Sequence, residues 1–167
     1  GTPVQIYPRT DAALKGTITA FPLKGGEAVT IEVGRQPAGM AFSPDGKTLY
    51  VTESDSDSVS FVDIAARRVM GNLSVRPPEE PVFGQIPTDV TPSADGKRLY
   101  VTLGGMNAVA VVETGSKPKI AGYVPTAWYP IAVARAGEGL TVACSKGIGS
   151  RPSNKTGGYG VHDSVGA

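Results

Sequence analysis

Ser43-Pro44-Asp45-Gly46-Lys47-Thr48-Leu49-Tyr50-Val51-Thr52 returns as Ser93-Ala94-Asp95-Gly96-Lys97-Arg98-Leu99-Tyr100-Val101-Thr102, identical at eight of ten positions. A third, weaker copy is Ala134-Arg135-Ala136-Gly137-Glu138-Gly139-Leu140-Thr141-Val142-Ala143. The equivalent leucines are 49, 99 and 140, so the spacings are 50 and 41. The longer interval holds extra residues around Arg76 to Gln85, rich in Pro and Glu. Self-similarity at a fixed period signals a repeat architecture, in which each unit buries its apolar face only against its neighbours.

Working outward from the decapeptides, each unit reads alike. It opens on an alternating run: Thr17 to Phe21, Ser58 to Val62, Ala108 to Val112. Alternation of apolar and polar residues fits a half-buried strand. A second short strand follows at Val29 to Val33, Val69 to Val75 and Ile120 to Val124. After a Pro-containing connection comes a third, at Ala38 to Phe42, Asp89 to Thr91 and Ile131 to Ala134. Asp-Gly then turns the chain, a strong hairpin signal because such turns need positive φ. The fourth strand is Leu49 to Thr52, Leu99 to Thr102 or Leu140 to Cys144.

Four short antiparallel strands per roughly 40–45 residues is the period of a propeller blade. Helical solenoids of similar period need apolar spacing of i, i+3, i+4, which is absent. A sandwich would not explain near-identical decapeptides. The sequence therefore predicts an all-β chain of about three to four β-propeller blades. Units are expected near 16–52, 57–102 and 107–144, within a propeller segment 1–150. Residues 151–167 read as a Gly/Ser-rich tail or linker.

Bulk composition narrows the function classes. The chain has 167 residues, with 16 Lys+Arg against 15 Asp+Glu. That balance leaves no basic field for nucleic acid. No stretch reaches the roughly 18–20 apolar residues of a membrane span. Cys144 is the only cysteine, so no internal disulfide forms and the compartment stays open. Gly1-Thr2-Pro3-Val4 lacks the regions of a signal peptide, as a trimmed secreted chain also would. The missing initiator Met hints at processing or an incomplete chain.

The decapeptides resemble the YVTN-type propeller repeat, whose blades carry SPDGKxLYVxN followed by SVSVID and VxVGxxPxGxA. The matching residues are Ser43 to Thr52 with Ser58 to Ile64, and Ile31 to Ala41. Lactonase-type propellers share a similar hairpin. A narrower resemblance covers Gly122 to Ala134 and Ser145 to Pro152. These residues are similar to the last propeller region of bacterial proteins that fuse a YVTN propeller to an alkaline-phosphatase-like phosphoesterase domain. That resemblance implies that a hydrolase domain follows the propeller. It also implies a location outside the cytoplasm, periplasmic or secreted. The hydrolase's metal ligands and nucleophile have no counterpart here, so no catalytic residue, metal site or cofactor is expected in this chain.

Rings usually hold 4–8 blades, and three or four make about half of a common seven-bladed ring. Open blade faces rich in Val, Ile and Leu invite association. The expected partners are therefore further blades, from the same parent protein, another chain or another copy.

In a propeller, one face collects the connections between blades and those between the second and third strands of each blade. Here these are Gly34 to Pro37, Glu53 to Asp57, Arg76 to Pro87, Gly104 to Asn107, Thr126 to Pro130 and the residues after Cys144. Loops on a rigid scaffold are common binding sites. Trp128 and Tyr129 read either as an aromatic contact for a partner or as packing between blades. Arg35, Arg76, Lys146 and Arg151 read either as a basic rim for an anion or as scattered solvated charges. Glu53-Ser54-Asp55-Ser56-Asp57-Ser58 fails as a calcium loop, because Ser60 and Ala66 stand where Gly and Glu are needed. It reads as a solvated turn. His162-Asp163 lacks partners for a metal site, and Cys144 is expected to pack within a blade. Asn72-Leu73-Ser74 and Asn154-Lys155-Thr156 fit the glycosylation pattern, which chance often produces. A lactonase-like site would need acidic or His groups on several innermost strands, which offer only Asp89. A non-catalytic binding scaffold is the function this sequence favours.

Overall fold

The structure, a computed structural model, describes residues 6–8, 13–79 and 83–147. Among them are twelve strands and no helix. They are β1 (Gly16–Ala20), β2 (Val29–Val33), β3 (Pro37–Phe42), β4 (Thr48–Glu53), β5 (Ser58–Asp63), β6 (Arg68–Ser74), β7 (Pro87–Pro92), β8 (Arg98–Leu103), β9 (Ala108–Glu113), β10 (Lys119–Pro125), β11 (Pro130–Ala136) and β12 (Gly139–Cys144). They form two complete antiparallel meanders, β3-β4-β5-β6 and β7-β8-β9-β10, flanked by the pairs β1-β2 and β11-β12. Each complete sheet is a propeller blade, and the two Leu-Tyr-Val-Thr segments lie in different blades.

The blades are phased two strands away from the repeat units read in the sequence. The expected unit 16–52 holds the pair β1-β2 and then the first two strands of the next sheet. The reason lies in the connections. Asp-Gly hairpins join β3 to β4 and β7 to β8. The segments 34–36, 75–86 and 126–129, each running into a proline, instead carry the chain from one sheet to the next. Strands β3, β7 and β11 are the innermost, and each abuts the next.

The repeated hairpin is built by side chains as well as by the turn. Gly46 N–H donates to Ser43 O at 2.8 Å, with Pro44 and Asp45 between them. Gly46 has φ +70°, while Asp45 does not have positive φ. The turn is thus a Pro-favouring type I turn followed by a left-handed glycine, not the two-residue turn with two positive φ values. Ser43 Oγ donates to Asp45 Oδ1 at 2.6 Å, and Lys47 N donates to the same oxygen at 3.1 Å. Asp95 repeats both bonds at 2.7 and 3.1 Å. The Ser43 and Ser93 hydroxyls, with the Lys47 and Lys97 amides, hold both carboxyls below their ordinary 3.8. A carboxyl held low in the fold contributes stability that is present above its unfolded value and lost as pH falls through the folded one. Denaturant midpoints should therefore drop below about pH 3.8, and Asp45→Asn with Asp95→Asn should flatten that drop. An unchanged acid limb in the double variant would place the effect elsewhere.

Faces alternate along each strand, as the pleat requires. Val51 and Val62 pack with Val33, Ile18 and Ile31 of the β1-β2 pair. Tyr50 and Val59 point the other way, joining Val90, Leu99, Val101, Leu103, Ala110 and Val112 between the two complete blades. The Tyr50 and Phe61 rings meet edge to face at 5.4 Å. Burial pushes the Tyr50 hydroxyl up, with Asp45 adding to it.

A threonine stabilises the bulge at the inner rim of each complete blade. Thr52 Oγ1 accepts from Gly39 N at 2.7 Å and reaches Gly39 O at 3.2 Å. Thr102 does the same for Asp89, at 2.9 and 3.3 Å. The registers slip there, between Pro37 and Met40 and between Pro87 and Asp89. The hydroxyl supplies partners that the bulged ladder cannot.

Candidate interaction face

The loops on the connection face hold one another in a continuous belt. Ser54 N donates to Gln36 O at 2.9 Å, and Arg35 N to Ser56 Oγ at 2.9 Å. Asp57 Oδ2 accepts from Gly84 N at 2.7 Å and from Arg76 Nε at 3.1 Å, while its Oδ1 accepts from Ile86 N at 3.0 Å. Gly104 N and Gly105 N donate to Ile86 O and Gln85 O, both at 2.9 Å. Asn107 Oδ1 accepts from Tyr129 N at 2.8 Å, and Asn107 O from Thr126 N at 2.9 Å. Ser145 N closes the run on Tyr129 O at 3.0 Å.

Left-handed backbone recurs along this belt. Gln36, Ile86 and Tyr129, each preceding a proline, have φ of 53°, 52° and 57°. Asp57 and Asn107 have 52° and 55°. A β-branched residue at positive φ ahead of proline is strained. Here the Asp57 bond to the Ile86 amide and the Gly104 bond to its carbonyl hold the residue in place. Glycine is required at Gly105, where a Cβ would come within 1.8 Å of Gly84 O.

The sequence run 53–58 is not a solvated turn. Glu53 and Asp57 are fully buried, and Ser58 and Ser60 nearly so. The Glu53 carboxyl accepts from Gly34 N at 2.6 Å, Asn72 Nδ2 at 2.7 Å, and both the Ser58 and Ser60 hydroxyls. Of the three carboxyls in the run only Asp55 reaches the surface, paired with Arg35 at 3.1 Å. Glu53 is buried because the strand pairing Glu53↔Ser58 carries it between blades, where backbone and hydroxyl donors replace water. The signal for this lay in the repeat itself: Glu53, Ser58 and Ser60 stand where the next blade has Leu103, Ala108 and Ala110.

The six candidate face residues separate on the structure. Arg35 is held by Asp55, its Nη2 also donating to Asp55 O at 2.6 Å. Arg76 is held by Asp57 and stacks over the Phe83 ring at 4.9 Å. Lys146 lies over the Tyr129 ring at 4.7 Å, and that ring packs on Gly104. Trp128 is 44% exposed, and its backbone amide donates to Gly147 O at 2.8 Å. Arg151, His162, Asp163 and the second glycosylation sequence lie outside the described residues. Asn72, in the first, is held by Glu53. Phe83, which nothing in the sequence pattern singles out, is 55% exposed on the same belt, with Met106 also exposed.

At the inner rim, Asp89 Oδ2 accepts from Val133 N at 2.9 Å and so ties two inner strands together. Gly39 opposes it, where a Cβ would lie 2.5 Å from Asp89 Cα. Thr88 Oγ1 meets Thr102 Oγ1 and Pro130 O, both at 2.8 Å. Among the described residues no three His, Cys, Asp or Glu side chains gather as a metal site would need. No helix among them is long and apolar enough to cross a membrane.

Fold and belt together define a chain of β-propeller blades. It is similar to the hydrazine synthase of Kuenenia stuttgartiensis, at 28% identity and TM-score 0.67 over 77% of this chain and 36% of that one. It is also similar to a 6-phosphogluconolactonase-like protein of Bacteroides uniformis, at 20% identity and TM-score 0.61 over 85% and 46%. Streptogramin B lyase matches at 17% identity and TM-score 0.62 over 82% and 44%. In each of these cases the chain spans less than half of its structural neighbour. No family model and no curated protein matches it.

Proposed function

We propose that this chain is a non-catalytic binding scaffold of YVTN-type blades that presents its connection face to a protein partner. The observation that carries the reading is the belt. Its polar groups are spent on one another, while Trp128, Phe83 and Met106 stay outward on a rigid support. Exposed aromatic anchors on preorganised loops are what protein interfaces use. Peptide display panned against the immobilised chain tests it. Phe83→Ala and Trp128→Ala should each weaken the selected peptides about tenfold or more, the scale of an anchoring residue. Lys47→Ala, on the opposite hairpin end, should leave them unchanged. Binders indifferent to Phe83 and Trp128 would refute the reading.

The phosphoesterase-associated alternative rests on the residues Gly122 to Ala134 and Ser145 to Pro152, and so does a location outside the cytoplasm. In that reading the partner is a hydrolase domain. A lactonase-like activity is favoured by one observation only, Asp89 on the inner rim. Lactone hydrolysis by the chain that disappears in Asp89→Asn would establish it.

A further inference from the structure

We propose that the groove between the two complete blades, toward their hairpin end, binds a neutral monosaccharide ring. The proposal is independent of the connection-face reading, since the groove shares no residue with that face.

The groove has a volume of about 340 Å³, at the lower end of what small-molecule sites occupy. One wall is Tyr50, Phe61, Met70 and Leu73 of the first complete blade. The other is the β9-β10 turn of the second, with Ser116 and Pro118. Tyr50 and Phe61 are paired across β4 and β5 and so project on one side of the sheet.

The decisive atom is the Tyr50 hydroxyl. Tyr50 is 5% exposed, in the cluster that holds Val59, Val90 and Leu99. Its ring meets Phe61 edge to face. Among the described residues, every side-chain oxygen or nitrogen sealed from solvent has a hydrogen-bond partner. The Tyr50 hydroxyl has none among them, so it is not sealed, and the groove is the opening that Tyr50 lines. Polar groups set this deep in a core are as a rule bonded within the protein. One that is not stands ready for a ligand. Burial raises the hydroxyl's pKa and Asp45 adds to the rise, so the group stays a neutral donor.

The other polar atoms share its character. Thr48, two residues from Tyr50 in β4 and on the same face, lines the groove with its hydroxyl, and Ser116 does so from the second blade. Thr114 Oγ1 donates to Gly96 O at 2.6 Å and keeps its lone pairs to accept. No charged side chain lines the groove, and Asp45 close by disfavours an anion. Hydroxyls set among apolar walls suit a ligand that alternates hydroxyl and C–H surface. A neutral sugar ring does so: its C–H face would rest on Phe61, Met70 and Pro118 while its hydroxyls meet Tyr50, Thr48 and Ser116. A purely apolar ligand would strip water from those hydroxyls and return nothing.

Two glycines keep the space open. A Cβ on Gly71 or Gly115 would meet nothing within 4 Å, and neither residue has positive φ. Neither close packing nor a left-handed backbone therefore calls for glycine there. Gly71 is paired with Phe61, so a side chain at position 71 would enter the groove beside that ring.

Saturation-transfer NMR on the 167-residue chain, with the methyl glycosides of glucose, galactose and mannose as probes, is the test. At least one should bind with a Kd on the order of 1 mM, the affinity open to a ligand of that size. Tyr50→Phe should weaken that sugar about five- to tenfold, the effect of one hydrogen bond. Its denaturant midpoint should stay level or rise, because the hydroxyl has no partner inside the fold. Gly71→Leu leaves every hydroxyl in place and should abolish binding by filling the groove. Tyr100→Phe, at the equivalent tyrosine of the next blade, should change nothing. No transfer to any of the three sugars, transfer to phenol alone, unchanged affinity or a lower midpoint in Tyr50→Phe, or full affinity in Gly71→Leu would each overturn the proposal.

Discussion

Glu53→Ala is expected to destabilise the chain by about 3 kcal/mol, because it leaves the half-buried Gly34 amide without its acceptor and opens a cavity between blades. The measurement is the denaturant midpoint at constant slope. The four donors around Glu53 do not count equally. Asn72 is exposed and can turn to water. The two nearly buried serine hydroxyls and the Gly34 amide lose their acceptor. The neighbouring blade supplies the control. There the same positions are Leu103, Ala108 and Ala110, all buried. Glu53→Leu alone sets an apolar chain beside two hydroxyls that have lost their acceptor. Adding Ser58→Ala and Ser60→Ala removes those orphans, since replacing both partners by apolar groups is nearly neutral where breaking one side is not. The triple variant should therefore be more stable than Glu53→Leu by about 1–2 kcal/mol. Equal stability of the two would mean that the serines do not depend on Glu53.

Asp57→Ala should release the segment 76–86 and raise chymotryptic cleavage after Phe83 by about tenfold or more, the change expected when a local opening loses some 1.4 kcal/mol of protection. Among the described residues, the Asp57 side chain holds both Gly84 and Ile86, and Arg76 leans on it from the other end of the segment. The substitution also places alanine at φ 52°, where Asp and Asn are tolerated far better. Its total effect on stability is therefore about 3 kcal/mol. Asp57→Asn is the informative companion. Asn107 occupies the equivalent site with the same backbone and caps Tyr129 through one carbonyl oxygen. Asn at position 57 keeps the left-handed backbone and one acceptor, so its cleavage should fall between wild type and Asp57→Ala. If all three chains are cleaved alike, the segment is held by something other than this carboxyl.

Both expectations bear on function through the same geometry. The segment 76–86 carries Phe83, and the belt that fixes it also fixes Tyr129 and, beside it, Trp128. Loosening Asp57 should disperse the aromatic face without touching an aromatic residue. Peptides selected on the wild-type chain would then weaken in Asp57→Ala as they do in Phe83→Ala.

Much of this architecture is written in local chemistry. The repeated Ser-x-Asp-Gly-Lys turn, the alternation in Thr17 to Phe21, Ser58 to Val62 and Ala108 to Val112, and the prolines between units place strands and hairpins with no tertiary information. Such signals depend on residues a few positions apart. The phase of the blades does not. A periodic sequence looks the same from any starting strand, and only pairing across β4-β5 and β8-β9 separates one sheet from the next. The fates of Glu53, Asp57, Arg35 and Arg76 were likewise decided in three dimensions. An acidic run between two strands looks solvated when read along the chain. It is buried once neighbouring segments bring Gly34, Asn72, Gly84 and Ile86 to its carboxyls, because a polar group's environment is set by donors 19 to 29 residues away in the chain rather than by its sequence neighbours.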